Sequence, residues 1–310
     1  MKKEYISYPS ADGITTINAA KWIPDGKPKA VLQIVHGMVE YIERYNDFAR
    51  YLADHGYLVV AEDHIGHGKS VVSPEYYGYF GNDGAKWIIA DIHHLREQMQ
   101  NDFPDIPYMM LGHSMGSFLT RQYITEKDAA YAEGLAGVII MGTGWKPAAK
   151  LVVGRILTKI LGTKKKAKRT KLIEFLEFGP YLKHVDNPET SSDWLTKDKD
   201  IIKAYRKDPL CTFHFTPNGF YHLACITQKA QDISRIKKLP AGLPILFASG
   251  AEVPVGKWGE GVRKAFMVYK ENTECIVDIN LYLDDRHEIL NETNRAEVYK
   301  DMLEFLDECI

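Results

Sequence analysis

Cysteine is scarce: four residues in 310, at Cys211, Cys225, Cys275 and Cys309. They stand far apart with no Cys-x-x-Cys pair, so neither a disulfide framework nor a zinc site holds the fold together. The expectation is four free thiols in a reducing cytoplasm. No apolar run reaches the roughly 18 residues of a membrane span. The opening Met1-Lys2-Lys3-Glu4-Tyr5 lacks the apolar stretch of a signal peptide. Neither sign of charge is in excess. The formal net charge of -2 argues against a nucleic-acid partner. No metal-ligand cluster and no internal repeat stands out, and no cofactor is expected.

What is present suits a large soluble domain. Apolar residues make up 45% of the chain and charged residues 26%, enough to bury a sizeable core. Ala30 to Val35, Tyr57 to Ala61, Pro107 to Leu111 and Val138 to Met141 read as short buried strands. Between them, Phe48, Tyr51 and Leu52, and then Ile88, Ile92, Leu95 and Met99, follow helical spacing, with Gly56 placed as a C-cap. Strands alternating with helices imply a mostly parallel sheet with helices on both faces, the α/β class. From about Trp145 to Gln228 the strands stop and helical stretches take over, including the basic run Lys164 to Arg169. Pro244 to Ala248 and Cys275 to Tyr282 resume the strand pattern. Val298, Met302, Phe305 and Leu306 mark a terminal helix. The expected organisation is a core of residues 1–144 and 229–310 interrupted by a helical insertion at 145–228.

The chemistry concentrates at Gly112-His113-Ser114-Met115-Gly116. An apolar strand precedes it and a helix follows, the setting of a nucleophile elbow. Ser114 is the candidate nucleophile. The helix behind it directs its positive N-terminal end at the reaction centre, where an oxyanion would form. Two N–H groups are needed for that oxyanion. Met115, after the serine, is one candidate; Met38, after the strand ending at His36-Gly37, is the other. Triad order in such folds is serine, acid, histidine. That order selects His287, late in the chain in Asp284-Asp285-Arg286-His287-Glu288, as general base. His93 and His94 sit on a helix ahead of the serine. His64 and His67 belong to a glycine-containing loop.

Taken together, these segments resemble the monoacylglycerol lipase and lysophospholipase branch of the α/β hydrolases. The matching pieces are His36-Gly37 with Glu40 and Arg44-Tyr45, Asp63 with Gly66-His67-Gly68-Lys69-Ser70, the Gly112 to Ser117 segment, Gly250 with Pro254-Val255-Gly256, and Arg286-His287-Glu288. Within the insertion, Asp193-Trp194-Leu195, Asp208-Pro209-Leu210-Cys211 and Phe213 to Phe215 look like bacterial members. The resemblance implies a serine esterase acting on lipid-like esters through an acyl-enzyme, with the insertion forming a cap. Its partner would be a small ester carrying an acyl chain, with at most peripheral membrane contact through the cap. The amphipathic stretch Leu151, Val152, Ile156, Leu157, Ile160 and Leu161 reads either as a lid facing a lipid surface or as a helix packed on the core. Leu172, Ile173, Phe175 and Leu176 follow the basic run.

One position departs from the pattern. In similar proteins the loop after the second-last strand reads Gly-x-x-Asp-Pro-Val-Gly, and its aspartate is the triad acid. Here Val253 stands at that place, between Glu252 and Pro254. Valine offers no acceptor to orient the histidine or to stabilise its cation. Three readings follow: an enzyme with low turnover, an enzyme using a displaced acid such as Glu252, Asp284 or Asp285, or a hydrolase fold that binds an ester without turning it over. Amide or C–C bond hydrolysis on the same core residues also stays open.

Overall fold

In this computed structural model, residues 1–163, 169, 173, 179–183 and 185–310 are described. The remaining lysines of the basic run, Lys164, Lys165, Lys166 and Lys168, fall outside them, as do Leu172, Phe175 and Leu176.

The short apolar runs become the strands at the centre of one sheet. Strands β3 (Ala30–Val35), β4 (Tyr57–Glu62) and β5 (Tyr108–His113) are buried at every position. That pattern belongs to parallel strands covered on both faces. With β1 (Lys2–Pro9), β2 (Thr16–Ile23), β6 (Leu135–Met141), β7 (Pro244–Gly250) and β8 (Ile276–Tyr282), the described residues form an eight-stranded sheet in the order β1-β2-β4-β3-β5-β6-β7-β8. Strands β3 to β8 pair in parallel, whereas β1 with β2, and β2 with β4, are antiparallel. The N-terminal hairpin is an addition to the sequence reading, which began the sheet at Ala30.

Alternation along each strand divides the core. Val31, Val35, Met110 and Ile140 pack toward one face, against helices α2 (Gly84–Asp102), α3 (Met115–Tyr123) and α7 (Glu260–Asn272). Leu32, Ile34, Leu111 and Ile139 pack toward the other, against α1 (Asn46–Asp54) and α8 (Arg295–Glu308). At roughly 1.5–3 kcal/mol for each fully buried large side chain, these two layers hold the sheet's C-terminal edge rigid. That edge carries the loops that matter for chemistry.

Between β6 and β7 lie α4 (Ala148–Leu161), α5 (Lys199–Lys207) and α6 (Pro217–Ala230). Helix α6 packs on α3 and on α4. In α4 the apolar stretch does not pack as a core helix would. Leu151 is buried, yet Val152, Val153, Ile156 and Ile160 are exposed, Ile160 by 78%. Among the described residues, the helix has more apolar faces than neighbours to cover them.

Candidate active site

Glycines around Ser114 are required by close approach. A Cβ on Gly116 would run into the carbonyl oxygens of Val35 and His36, and one on Gly112 into Thr120 Oγ1 and Gly116 O. Helix α3 therefore starts pressed against the end of β3. Ser114 itself has φ 54° and ψ −116°, a backbone that non-glycine residues rarely adopt. The turn is pinned by Ser114 N–H donating to Met141 O at 3.0 Å and by Ser117 Oγ donating to Ser114 O at 2.6 Å.

Across a gap of 173 residues, His287 Nε2 lies 2.8 Å from Ser114 Oγ. The ring is buried, with His113 on one side (centroids 4.8 Å apart) and Trp194 on another (5.0 Å). Burial, reinforced by His113, pushes the His287 imidazole well below its ordinary pKa. At neutral pH it is therefore uncharged and able to accept the serine proton.

Met115 opens α3, so its N–H has no partner within the helix. The Met38 N–H makes no hydrogen bond among the described residues. Both residues line the same cavity as Ser114 and His287, a space of about 460 Å³. A Cβ on Gly37 would come within 3.0 Å of Ser114 Cβ, so the Met38 turn sits directly beside Ser114. Phe118, Phe213, Phe215 and Leu223 give the cavity an apolar wall.

His287 Nδ1 is buried without a hydrogen-bond partner among the described residues. None of the three candidate substitute acids supplies one. Glu252 directs its carboxylate to Lys197 Nζ at 3.0 Å, with Arg286 Nε at 3.8 Å. Asp285 Oδ2 is itself buried and unpartnered, and burial, reinforced by Glu292, raises its carboxyl to about 6. Asp284 has no bond to His287 either. Glu252 N–H is tied to Asp285 O at 3.0 Å, while its carboxylate is half-exposed in the pair with Lys197. Val253 is completely buried next in line. Its loop is clamped on both sides. Gly250 abuts the carbonyls of Asp285 and Arg286, and Gly256 abuts Thr143 O in the loop whose Gly142 could not carry a Cβ without bringing it to 3.2 Å from His287 Cε1.

A buried polar network that the sequence reading did not assign surrounds this pair. Glu40 Oε1 accepts from Gly37 N–H (2.5 Å) and Tyr45 OH (2.8 Å) and meets His113 Nδ1 at 3.0 Å. Arg44 bridges Glu40 to Glu288, the latter through two bonds of 2.5 and 2.6 Å. Burial opposes a charged His113, but the Glu40 carboxylate outweighs it and raises the pKa. His113 Nε2 in turn lies 3.3 Å from the His287 carbonyl oxygen. One network thus braces both the Met38 turn and the His287 loop. From the insertion, Leu195 O accepts Glu288 N–H at 2.7 Å, and Arg286 donates to Asp193 O at 2.6 Å. The i,i+4 spacing of Glu40 and Arg44 was the available signal; their partners 73 and 244 residues away were not legible. Among the described residues no three His, Cys, Asp or Glu side chains gather as a metal site.

A mostly parallel sheet with a strained serine between β5 and α3, faced by a histidine after β8, defines an α/β hydrolase. Residues 26–294 match the hydrolase family described as serine aminopeptidase, S33, and the chain belongs to that family. It is similar to the monoglyceride lipase of Homo sapiens, 27% identical over 61% of this chain and 54% of that protein, so the match spans about half the relative's length. The monoacylglycerol lipase of Mycolicibacterium smegmatis is 25% identical over 92% of this chain and 90% of its own. A solved thermostable carboxyl esterase from Bacillus coagulans, in complex with glycerol, superposes with a TM-score of 0.90 at 29% identity, covering 100% of this chain and 99% of the other.

Proposed function

We propose that the protein hydrolyses carboxylic esters of lipid-like alcohols, of the monoacylglycerol or lysophospholipid type. The observation that carries this is the 2.8 Å approach of His287 Nε2 to Ser114 Oγ inside a cavity with an apolar wall. Ser114 attacks the ester carbonyl while His287 takes its proton. The Met38 and Met115 N–H groups hold the oxyanion. His287 then protonates the departing alcohol, and water releases the acid by the same steps in reverse order. Residues 145–228 serve as the cap, bringing Trp194, Phe213 and Phe215 to the reaction cavity. The four free thiols favour the cytoplasm as its place of work.

In this reading Val253 occupies the place of the triad acid. The orphaned His287 Nδ1 supports that assignment. Without an acceptor, the imidazole loses its fixed tautomer, and turnover falls by about 10⁴-fold, or roughly 5.5 kcal/mol, as when the acid is disabled in other serine hydrolases. The alternative, a fold that binds an ester without turning it over, rests on the same orphaned nitrogen. Hydrolysis of p-nitrophenyl esters of increasing chain length separates the two. Slow, saturable release that disappears in Ser114→Ala supports the enzyme; identical rates in the two proteins contradict it.

A further inference from the structure

Beside the reaction cavity lies a second, polar hollow of about 720 Å³ between α5 and the segment 185–193. Lys199, Lys203, Arg206 and Lys207 of α5 line it, with Lys197 and Arg286 from its edges. Three of these six cations are satisfied. Lys199 pairs with Glu189 at 2.6 Å, Lys197 with Glu252 at 3.0 Å, and Arg286 donates to the carbonyls of Asp193 and Thr196. The other three are not. Arg206 donates only to Ser191 Oγ, at 3.1 Å, and Lys203 and Lys207 have no ion pair among the described residues. Of the carboxylates in the hollow, Glu189 is used by Lys199, and Asp193 accepts from Thr190 and two backbone N–H groups. Among the described residues lining the hollow, Asp186 is the carboxylate left without a hydrogen bond or ion pair, against three such cations.

Cations three and four apart on one helix face repel one another. The helix C-terminal dipole rewards Arg206 and Lys207 in the last turn but gives nothing to Lys203. A concave wall with surplus positive charge concentrates an anion. Arg206 also lines the reaction cavity, so it stands on a wall common to both spaces.

We propose that this hollow seats a phosphate on the alcohol side of the substrate, making an acyl glycerophosphate the preferred ester over a neutral acyl glycerol. The inference rests on the Ser114 reading. Water cleaves the acyl C–O bond, yielding a fatty acid and glycerophosphate; the phosphate is bound and not transformed. Arg206 forms the fork to the phosphate oxygens, and Lys203 and Lys207 add point charges.

The test uses octanoyl glycerophosphate and octanoyl glycerol, both below micelle-forming concentrations so that no lipid surface takes part. The full chain should show kcat/KM at least about tenfold higher for the phosphate ester at low salt, with the advantage shrinking as salt rises. In Lys203→Gln/Arg206→Gln/Lys207→Gln the ratio should fall toward one. Thermal melting establishes that this variant is folded, and Lys203→Glu/Lys207→Glu should reverse the preference. Inorganic phosphate should compete with the phosphate ester alone. Equal ratios in the full chain and the triple variant, preference for the neutral ester, or equal inhibition of both esters by phosphate would overturn the proposal. Calorimetric binding of octanoyl glycerophosphate to Ser114→Ala, with and without the triple substitution, reads the seat without turnover. Failure there leaves Ser114 chemistry on neutral p-nitrophenyl esters standing, and loss of that chemistry leaves the binding result standing.

Discussion

Val253→Asp is the perturbation with the largest expected gain. Val253 is fully buried, in a loop clamped between the carbonyls of residues 285–286 and the Thr143 loop, where a Cβ on Gly142 would lie 3.2 Å from His287 Cε1. Aspartate is close to valine in size, so the loop can hold it without a cavity or gross overlap. Its carboxylate would give His287 Nδ1 the acceptor it lacks. Two unit charges about 4 Å apart at an effective dielectric near 20 attract by about 4 kcal/mol, of the same order as the roughly 5.5 kcal/mol ascribed to a triad acid. Hydrolysis of p-nitrophenyl butyrate should therefore rise by about 10³ to 10⁴-fold. A pH signature accompanies the gain. His287 must be neutral to act as base, so kcat/KM climbs as pH rises through its pKa. Burial now holds that pKa low, and a neighbouring anion raises it by about 1–3 units. The acidic limb of the profile should move up by that amount. A folded Val253→Asp protein with unchanged rate and unchanged acidic limb would refute the assignment of Val253 to the acid position.

Glu252→Gln and Asp285→Asn should each change kcat by less than about threefold. Neither carboxylate reaches His287, and the half-exposed Lys197–Glu252 pair is worth no more than about 1 kcal/mol; loss of activity in either would restore the displaced acid. Gly116→Ala should cost about 3 kcal/mol or more, seen in chemical denaturation, because its Cβ meets two backbone carbonyls that cannot swing away; a neutral result would contradict the close packing of α3 on β3. Stability should also fall with rising pH through Glu62. Burial raises its carboxyl to about 8, with Tyr8 bonding opposing and Asp63 adding. Between the unfolded value near 4.5 and about 8, the folded state holds a proton that the unfolded chain has released, so stability is full below that window and declines across it. Glu62→Gln should flatten the melting temperature between pH 5 and 8; an unaltered slope would assign the effect elsewhere.

The elbow was legible because its glycines answer to local packing: Gly112 and Gly116 sit within four residues of each other and exclude any side chain. Strands β3 to β8 were legible because apolar runs that short, bounded by turns and helices, have few other uses. The hairpin β1–β2 was not. Along Lys2–Pro9 only Tyr8 is fully buried, so the edge strand carries almost no apolar alternation, and Thr16–Ile23 buries two consecutive alanines, poor strand formers. Glu252 looked suitable as an acid because it neighbours Val253 in sequence, but consecutive side chains diverge and Lys197 captures it. The Glu40–His113–Glu288 network needed three loops brought together by the sheet. The unpaired cations of α5 were readable as residues, but the hollow that concentrates them depends on where 185–193 comes to rest.

The central claim is that Ser114 is a nucleophile activated by His287. Intact-mass and peptide mapping after treatment with a fluorophosphonate test it without requiring turnover. A single adduct should form on Ser114, none should form in Ser114→Ala, and labelling should slow by about 100-fold or more in His287→Ala. No adduct on the wild-type chain, or an adduct on another residue, would contradict the account.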